Sequence, residues 1–63
     1  MEIQIGEIFK PSHGHFILKV IALFESQALC QVICDNKVKS RTMERKSTIL
    51  EMERLSSLEK ELM

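Results

Sequence analysis

Asp35 and Asn36 stand between two runs, "ALCQVIC" (28–34) and "VKSRTMER" (38–45), that contain neither Gly nor Pro. Both residues tolerate left-handed backbone conformations at little cost, so "DNK" reads as the turn of a β-hairpin. The hairpin constrains the chain more than any other feature. In the first run Ala28, Cys30, Val32 and Cys34 fall on one face, and Leu29, Gln31 and Ile33 on the other. The second run is polar and reads as an edge strand.

The residues upstream supply further strands. "HFILKVIALF" (15–24) is rich in branched and aromatic residues, with Phe16, Leu18, Val20 and Ala22 on one face and Ile17, Lys19, Ile21 and Leu23 on the other. Only Lys19 carries a full charge, so this strand is expected to be covered on much of both sides. "EIQIGEIF" (2–9) alternates at Ile3 and Ile5, breaks at Gly6 and resumes at Ile8 and Phe9, which suggests a short strand bent at the glycine. "KPSHG" (10–14) is turn chemistry, because Pro presets its own dihedral and biases Lys10 away from helix. "ESQ" (25–27) is a polar break.

The period changes near the end. Ile49, Met52, Leu55, Leu58 and Leu62 recur at three- and four-residue spacing, which predicts an amphipathic helix. Thr48 and Glu51 fit a capping box at its start. The expectation is a single domain, 1–63, with β structure over 1–46 and a C-terminal helix over 47–63. Its apolar stripe either packs on the sheet or pairs with a second copy through Met52, Leu55, Leu58 and Leu62.

Sixty-three residues, 44% hydrophobic and 29% charged, describe one small globular unit whose core is marginal unaided. With three Phe and no Trp or Tyr, that core must be mainly aliphatic. No charge-led apolar leader and no run long enough to span a bilayer are present, which implies a cytoplasmic chain with reduced cysteines and no membrane partner.

"IGEIF", a turn, "FILKVIAL", a polar break, "ALCQVICDNKVKSRTM" and a terminal helical stretch together resemble the SH3-like or KOW-like small β-barrels of the phage or prophage accessory type. The resemblance covers roughly residues 3–46 and rests on strand order and the glycine in the first strand. It implies a mainly β fold with a C-terminal helix, a partly open barrel of four to five antiparallel strands. It also implies a binding module rather than an enzyme.

Two His and two Cys raise the question of zinc. Cys30 and Cys34 lie four residues apart in a strand, so their α-carbons are separated by about 13 Å, too far to converge on one ion or to form a disulfide. They read as small core thiols, and His13 and His15 as turn residues. Thiols on an apolar face are poor nucleophiles, and the sequence has no Gly-rich phosphate loop and no Ser/His/Asp set. The expectation is no metal, no cofactor and no catalytic residue.

The net charge is zero, but it is unevenly spread. Residues 37–46 carry Lys37, Lys39, Arg41, Arg45 and Lys46 against Glu44, and acidic segments flank them. Simple alternation would place Lys37, Lys39, Arg41 and Arg45 on one face with Met43 between. Such a stripe suits an acidic protein partner, with nucleic acid as the rival through phosphate contacts. The absence of Tyr and Trp for base stacking favours the protein.

Overall fold

The structure, a computed structural model, describes residues 2–55. It is mainly β: a five-stranded antiparallel sheet and one short helix near the C-terminus. In chain order these are β1 (Ile8–Lys10), β2 (Ile17–Leu23), β3 (Gln27–Cys34), β4 (Lys37–Arg45), α1 (Lys46–Leu50) and β5 (Glu53–Arg54). The strand order is β4-β3-β2-β1-β5. The first four strands form a meander, and the chain then returns to lay β5 against β1.

The turns follow from their residues. Asp35 and Asn36 both have positive φ, 55° and 63°, as the tight two-residue β3–β4 turn requires. Gln4 to Glu7 forms a second turn closed by the Glu7 amide on the Gln4 carbonyl at 3.2 Å. Gly6 sits in it at φ 96°, a conformation that glycine adopts without strain. The strand expected over Ile3–Phe9 is therefore shorter. Its first half is a turn, and β1 begins at Ile8.

The core among the described residues comprises Ile3, Phe9, Leu18, Val20, Ala28, Cys30 and Ile49, with Phe16, Val32 and Met52 packed against it. Phe9, Leu18, Val20, Ala28, Cys30 and Val32 come from one face of β1, β2 and β3, and Ile3, Phe16, Ile49 of α1 and Met52 close over that face. The register confirms the shared face, pairing Phe9 with Leu18, Leu18 with Val32 and Val20 with Cys30. Ile21 is an extra residue in β2, because the β2–β3 register shifts between Val20 and Ala22. The bulge moves Ala22 to the outer face opposite Leu29 and brings Leu23 to the core side opposite Ala28. Simple alternation assigns both the other way.

The helix expected over 47–63 is corrected. Helical structure stops at Leu50, and Glu53–Arg54 is a strand paired with Phe9 and Lys10. The last turn tightens through bonds from the Glu51 amide to Thr48 and from the Met52 amide to Ile49, at 3.2 and 2.9 Å. Bonds of this span use up the terminal carbonyls and end a helix. There is no Thr48–Glu51 capping box: Arg45 occupies the N-cap in an extended conformation without a side-chain cap bond, and Glu51 is the C-cap. The three-residue spacing of Ile49, Met52 and Leu55 arises where a single helical turn gives way to a strand. Ile49 is fully buried, and burying such a side chain contributes roughly 1.5–3 kcal/mol. Met52 packs against the core and Leu55 follows β5, so no continuous helical face runs through them. Leu58 and Leu62 lie outside the described residues.

Candidate functional site

β4 is one edge of the sheet, and no strand among the described residues covers it. Its pairing with β3 determines where each side chain points. Cys34 pairs with Lys37 and Ile33 with Val38, but Val32 then pairs with Ser40, so Lys39 is an extra residue. Beyond this bulge the pairs are Gln31 with Arg41, Cys30 with Thr42, Leu29 with Met43, Ala28 with Glu44 and Gln27 with Arg45. Residues directly opposite in an antiparallel pair share a face. Ser40, Thr42 and Glu44 therefore share the core side with Val32, Cys30 and Ala28. Arg41, Met43 and Arg45 lie on the outer side, as does Val38 beyond the bulge.

This redraws the basic stripe. Lys37 sits on the side of Cys34, opposite to the face of Arg41 and Arg45, and Lys39 occupies the bulge. Of the four residues expected on one face, only Arg41 and Arg45 are held together by regular pairing. Lys19 joins them instead, because it pairs with Gln31 and Gln31 pairs with Arg41. The sequence signal for Lys19 was its position as the sole charge in β2. Lys37 is parted from Arg41 and Arg45 by the bulge at Lys39 alone, which no residue type in the strand announces.

The outer face of β2, β3 and β4 carries Lys19, Arg41 and Arg45 and no acidic residue. Glu44, the acid within β4, points to the core side, where its Oε2 accepts a hydrogen bond from the Thr42 hydroxyl at 2.9 Å. Among the described residues, Arg41 and Arg45 form no ion pair; the pair that does form joins Arg54 to Glu7. Apolar groups lie between the cations. Met43 is 45% exposed and Val38 54%, with half-buried Leu29 and Ile33 opposite them on β3. Phe24 is 50% exposed. Its amide bonds to the Gln27 carbonyl at 2.8 Å, which places it in the row of Gln27 and Arg45.

The cysteines and histidines lie elsewhere. Cys30 is fully buried; burial pushes its thiol above the ordinary value of 9.0, and the Glu44 carboxylate adds a smaller push in the same direction. Cys34 is half-buried, and its Sγ donates to the His15 carbonyl at 3.3 Å. His13 and His15 are exposed in the bend between β1 and β2. Among the described residues, no group of three or more His, Cys, Asp or Glu side chains could hold a metal ion. On the core side, Phe16, Leu18, Val32 and Met52 line a shallow groove of about 300 Å³ rimmed by Thr42 and Glu44.

No helix among the described residues is long and apolar enough to cross a membrane. No protein-family model, curated protein or solved structure matches this chain.

Proposed function

We propose that this chain is a non-enzymatic interaction module that binds an acidic segment of a protein partner on the outer face of β4. The carrying observation is the outer face of β2, β3 and β4, which carries no acidic residue and on which Arg41 and Arg45 flank exposed Met43 along the free edge of the sheet. Charges arranged this way attract an acidic partner and repel basic ones. Met43 and Val38 give a bound segment apolar surface to cover.

A four-strand meander, a short helix and a last strand returned to β1 resemble an SH3-like partly open barrel, a scaffold suited to binding. The chain then acts as a cytoplasmic accessory protein of the phage or prophage type, modulating a host protein. Two free cysteines are in keeping with a reducing compartment.

Phe24 favours a second reading. An exposed aromatic ring in the row of Arg45 offers a stacking surface beside cations, the combination that holds single-stranded nucleic acid. Fluorescence titrations of a labelled oligoglutamate peptide and of an oligothymidylate of equal formal charge separate the two. The protein-partner reading expects the peptide to bind and the oligonucleotide to bind far more weakly. Tight oligonucleotide binding with log affinity falling linearly in log salt, and none of the peptide, would establish the second reading instead.

A further inference from the structure

The backbone of β4 specifies more about the partner than its charge. In an antiparallel ladder, hydrogen-bonded and non-bonded pairs alternate. The Lys46 amide donates to the Ser26 carbonyl at 3.0 Å, a bonded pair in register with the β3–β4 ladder. Counting from it, Arg45, Met43 and Arg41 belong to non-bonded pairs, and Glu44, Thr42 and Ser40 to bonded ones. The same parity follows independently from β2. The Val20 amide bonds to the Glu7 carbonyl at 2.9 Å, and the Val20 carbonyl accepts from the Gly6 amide at 2.8 Å. Val20 thus turns its backbone to the β1 side, leaving Cys30 opposite to bond toward β4. The N–H and C=O groups of Arg41, Met43 and Arg45 therefore point outward from the free edge. The three residues that present side chains to the outer face also present unsatisfied backbone to a new strand.

We infer that the partner segment adds to β4 as a sixth, antiparallel strand whose outer face reads acid–apolar–acid at alternate positions. This rests on the reading of β4 as the site for an acidic protein segment. Residues directly opposite one another across such a pair lie about 5.5 Å apart at their α-carbons, so side-chain pairs decide the pattern. An acid opposite Arg41 and another opposite Arg45 make charge-assisted pairs. An aliphatic residue between them covers Met43. Spanning Arg41 to Arg45 takes five partner residues, with small polar residues at the two intervening positions.

A second copy of this chain does not fit the edge. The self-pairing centred on Met43 sets Arg41 of each copy against Arg45 of the other, and like charges directly opposite are destabilising. Lysine and arginine along an edge strand discourage self-association while leaving the edge open to an acidic strand.

The test uses a synthetic peptide in which Glu, Ile and Glu alternate with Thr, titrated against the isotope-labelled full chain and followed by amide NMR. Two versions carry one N-methyl group each. One is methylated at the Ile nitrogen, which must donate to Met43; the other at an adjacent Thr nitrogen, which points away. Both share the conformational effect of N-methylation, so their difference isolates the hydrogen bond. The expected result is about tenfold weaker binding for the Ile-methylated peptide than for the Thr-methylated one, the cost of one lost backbone bond. The parent peptide should also slow exchange of the Arg41, Met43 and Arg45 amides. Equal binding of the two methylated peptides would overturn strand addition and leave an acidic partner held by charge. Failure of both this peptide and oligoglutamate to bind would overturn the acidic-partner reading and strand addition with it.

Discussion

Arg54 lies over Phe9. The two are direct cross-strand partners in the β5–β1 pair, and the Arg54 guanidinium carbon sits 5.2 Å from the centre of the Phe9 ring. The same guanidinium pairs with the Glu7 carboxylate at 3.3 Å and donates to the Glu2 carbonyl at 3.3 Å. β5 has only two residues, so backbone pairing holds it weakly, and this side chain fastens the chain's return. Arg54→Ala is expected to destabilise the fold by about 1–2 kcal/mol. It should also speed exchange of the Leu55 amide, which bonds to the Ile8 carbonyl at 2.8 Å. Urea denaturation and amide exchange on the variant check both effects. An unchanged midpoint with unchanged Leu55 protection would mean that β5 is held by other contacts.

The two glycines should respond differently to substitution. Both have positive φ, 96° at Gly6 and 106° at Gly14, so alanine at either is strained, by about 1–2 kcal/mol. A methyl group at Gly6 meets open space, whereas one at Gly14 collides with the Phe16 ring. Phe16 packs against the core and cannot move away freely. Gly14→Ala is therefore expected to lower the melting temperature clearly more than Gly6→Ala. The reverse order in thermal melts would contradict the placement of Phe16 over the β1–β2 bend.

Cys30 makes stability depend on alkaline pH. Its thiol is raised above 9.0 in the fold by burial and, secondarily, by Glu44. In the unfolded chain it ionises at its ordinary value, while the folded protein keeps it neutral. The stabilisation is thus fully present below the unfolded value and is lost as pH rises through the folded one. Wild type should lose stability above about pH 9 more steeply than Cys30→Ala. Glu44→Gln should lower the thiol's titration point toward its ordinary value. Urea midpoints as a function of pH for the three proteins check this; parallel curves for wild type and Cys30→Ala would contradict it.

How far the sequence discloses this fold depends on whether a feature is local. Asp35 and Asn36 specify their turn by conformational preference alone, and the hairpin lies where their chemistry places it. Leu18, Val20, Ala28 and Cys30 show their burial through alternation. The failures come where pairing overrides pattern. Ile21 and Lys39 are single extra residues, and a bulge has no compositional mark when neither Gly nor Pro accompanies it. Each one flips every later side chain relative to simple alternation. Met52 to Leu55 carry a helical spacing, yet their fate depends on β1, more than forty residues earlier in the chain. The basic character of β4 was legible; the face on which its charges gather was not.

Two double charge reversals separate recognition on the outer face of β4 from attraction by the basic strand as a whole. Arg41→Glu with Arg45→Glu alters that face, while Lys37→Glu with Lys39→Glu makes the same charge change on the turn-proximal part of the strand. All four positions are exposed, so each double variant should melt within a few degrees of wild type, surface substitutions usually costing about 0.5 kcal/mol or less. The measurement is the affinity of the Glu–Ile–Glu peptide for the three proteins at one salt concentration. The expected result is loss of binding by Arg41→Glu/Arg45→Glu, about a hundredfold or more, and a reduction of only severalfold by Lys37→Glu/Lys39→Glu through long-range charge. Equal losses in both variants, or binding that persists when Arg41 and Arg45 are reversed in a folded protein, would mean that the outer face of β4 is not the recognition surface.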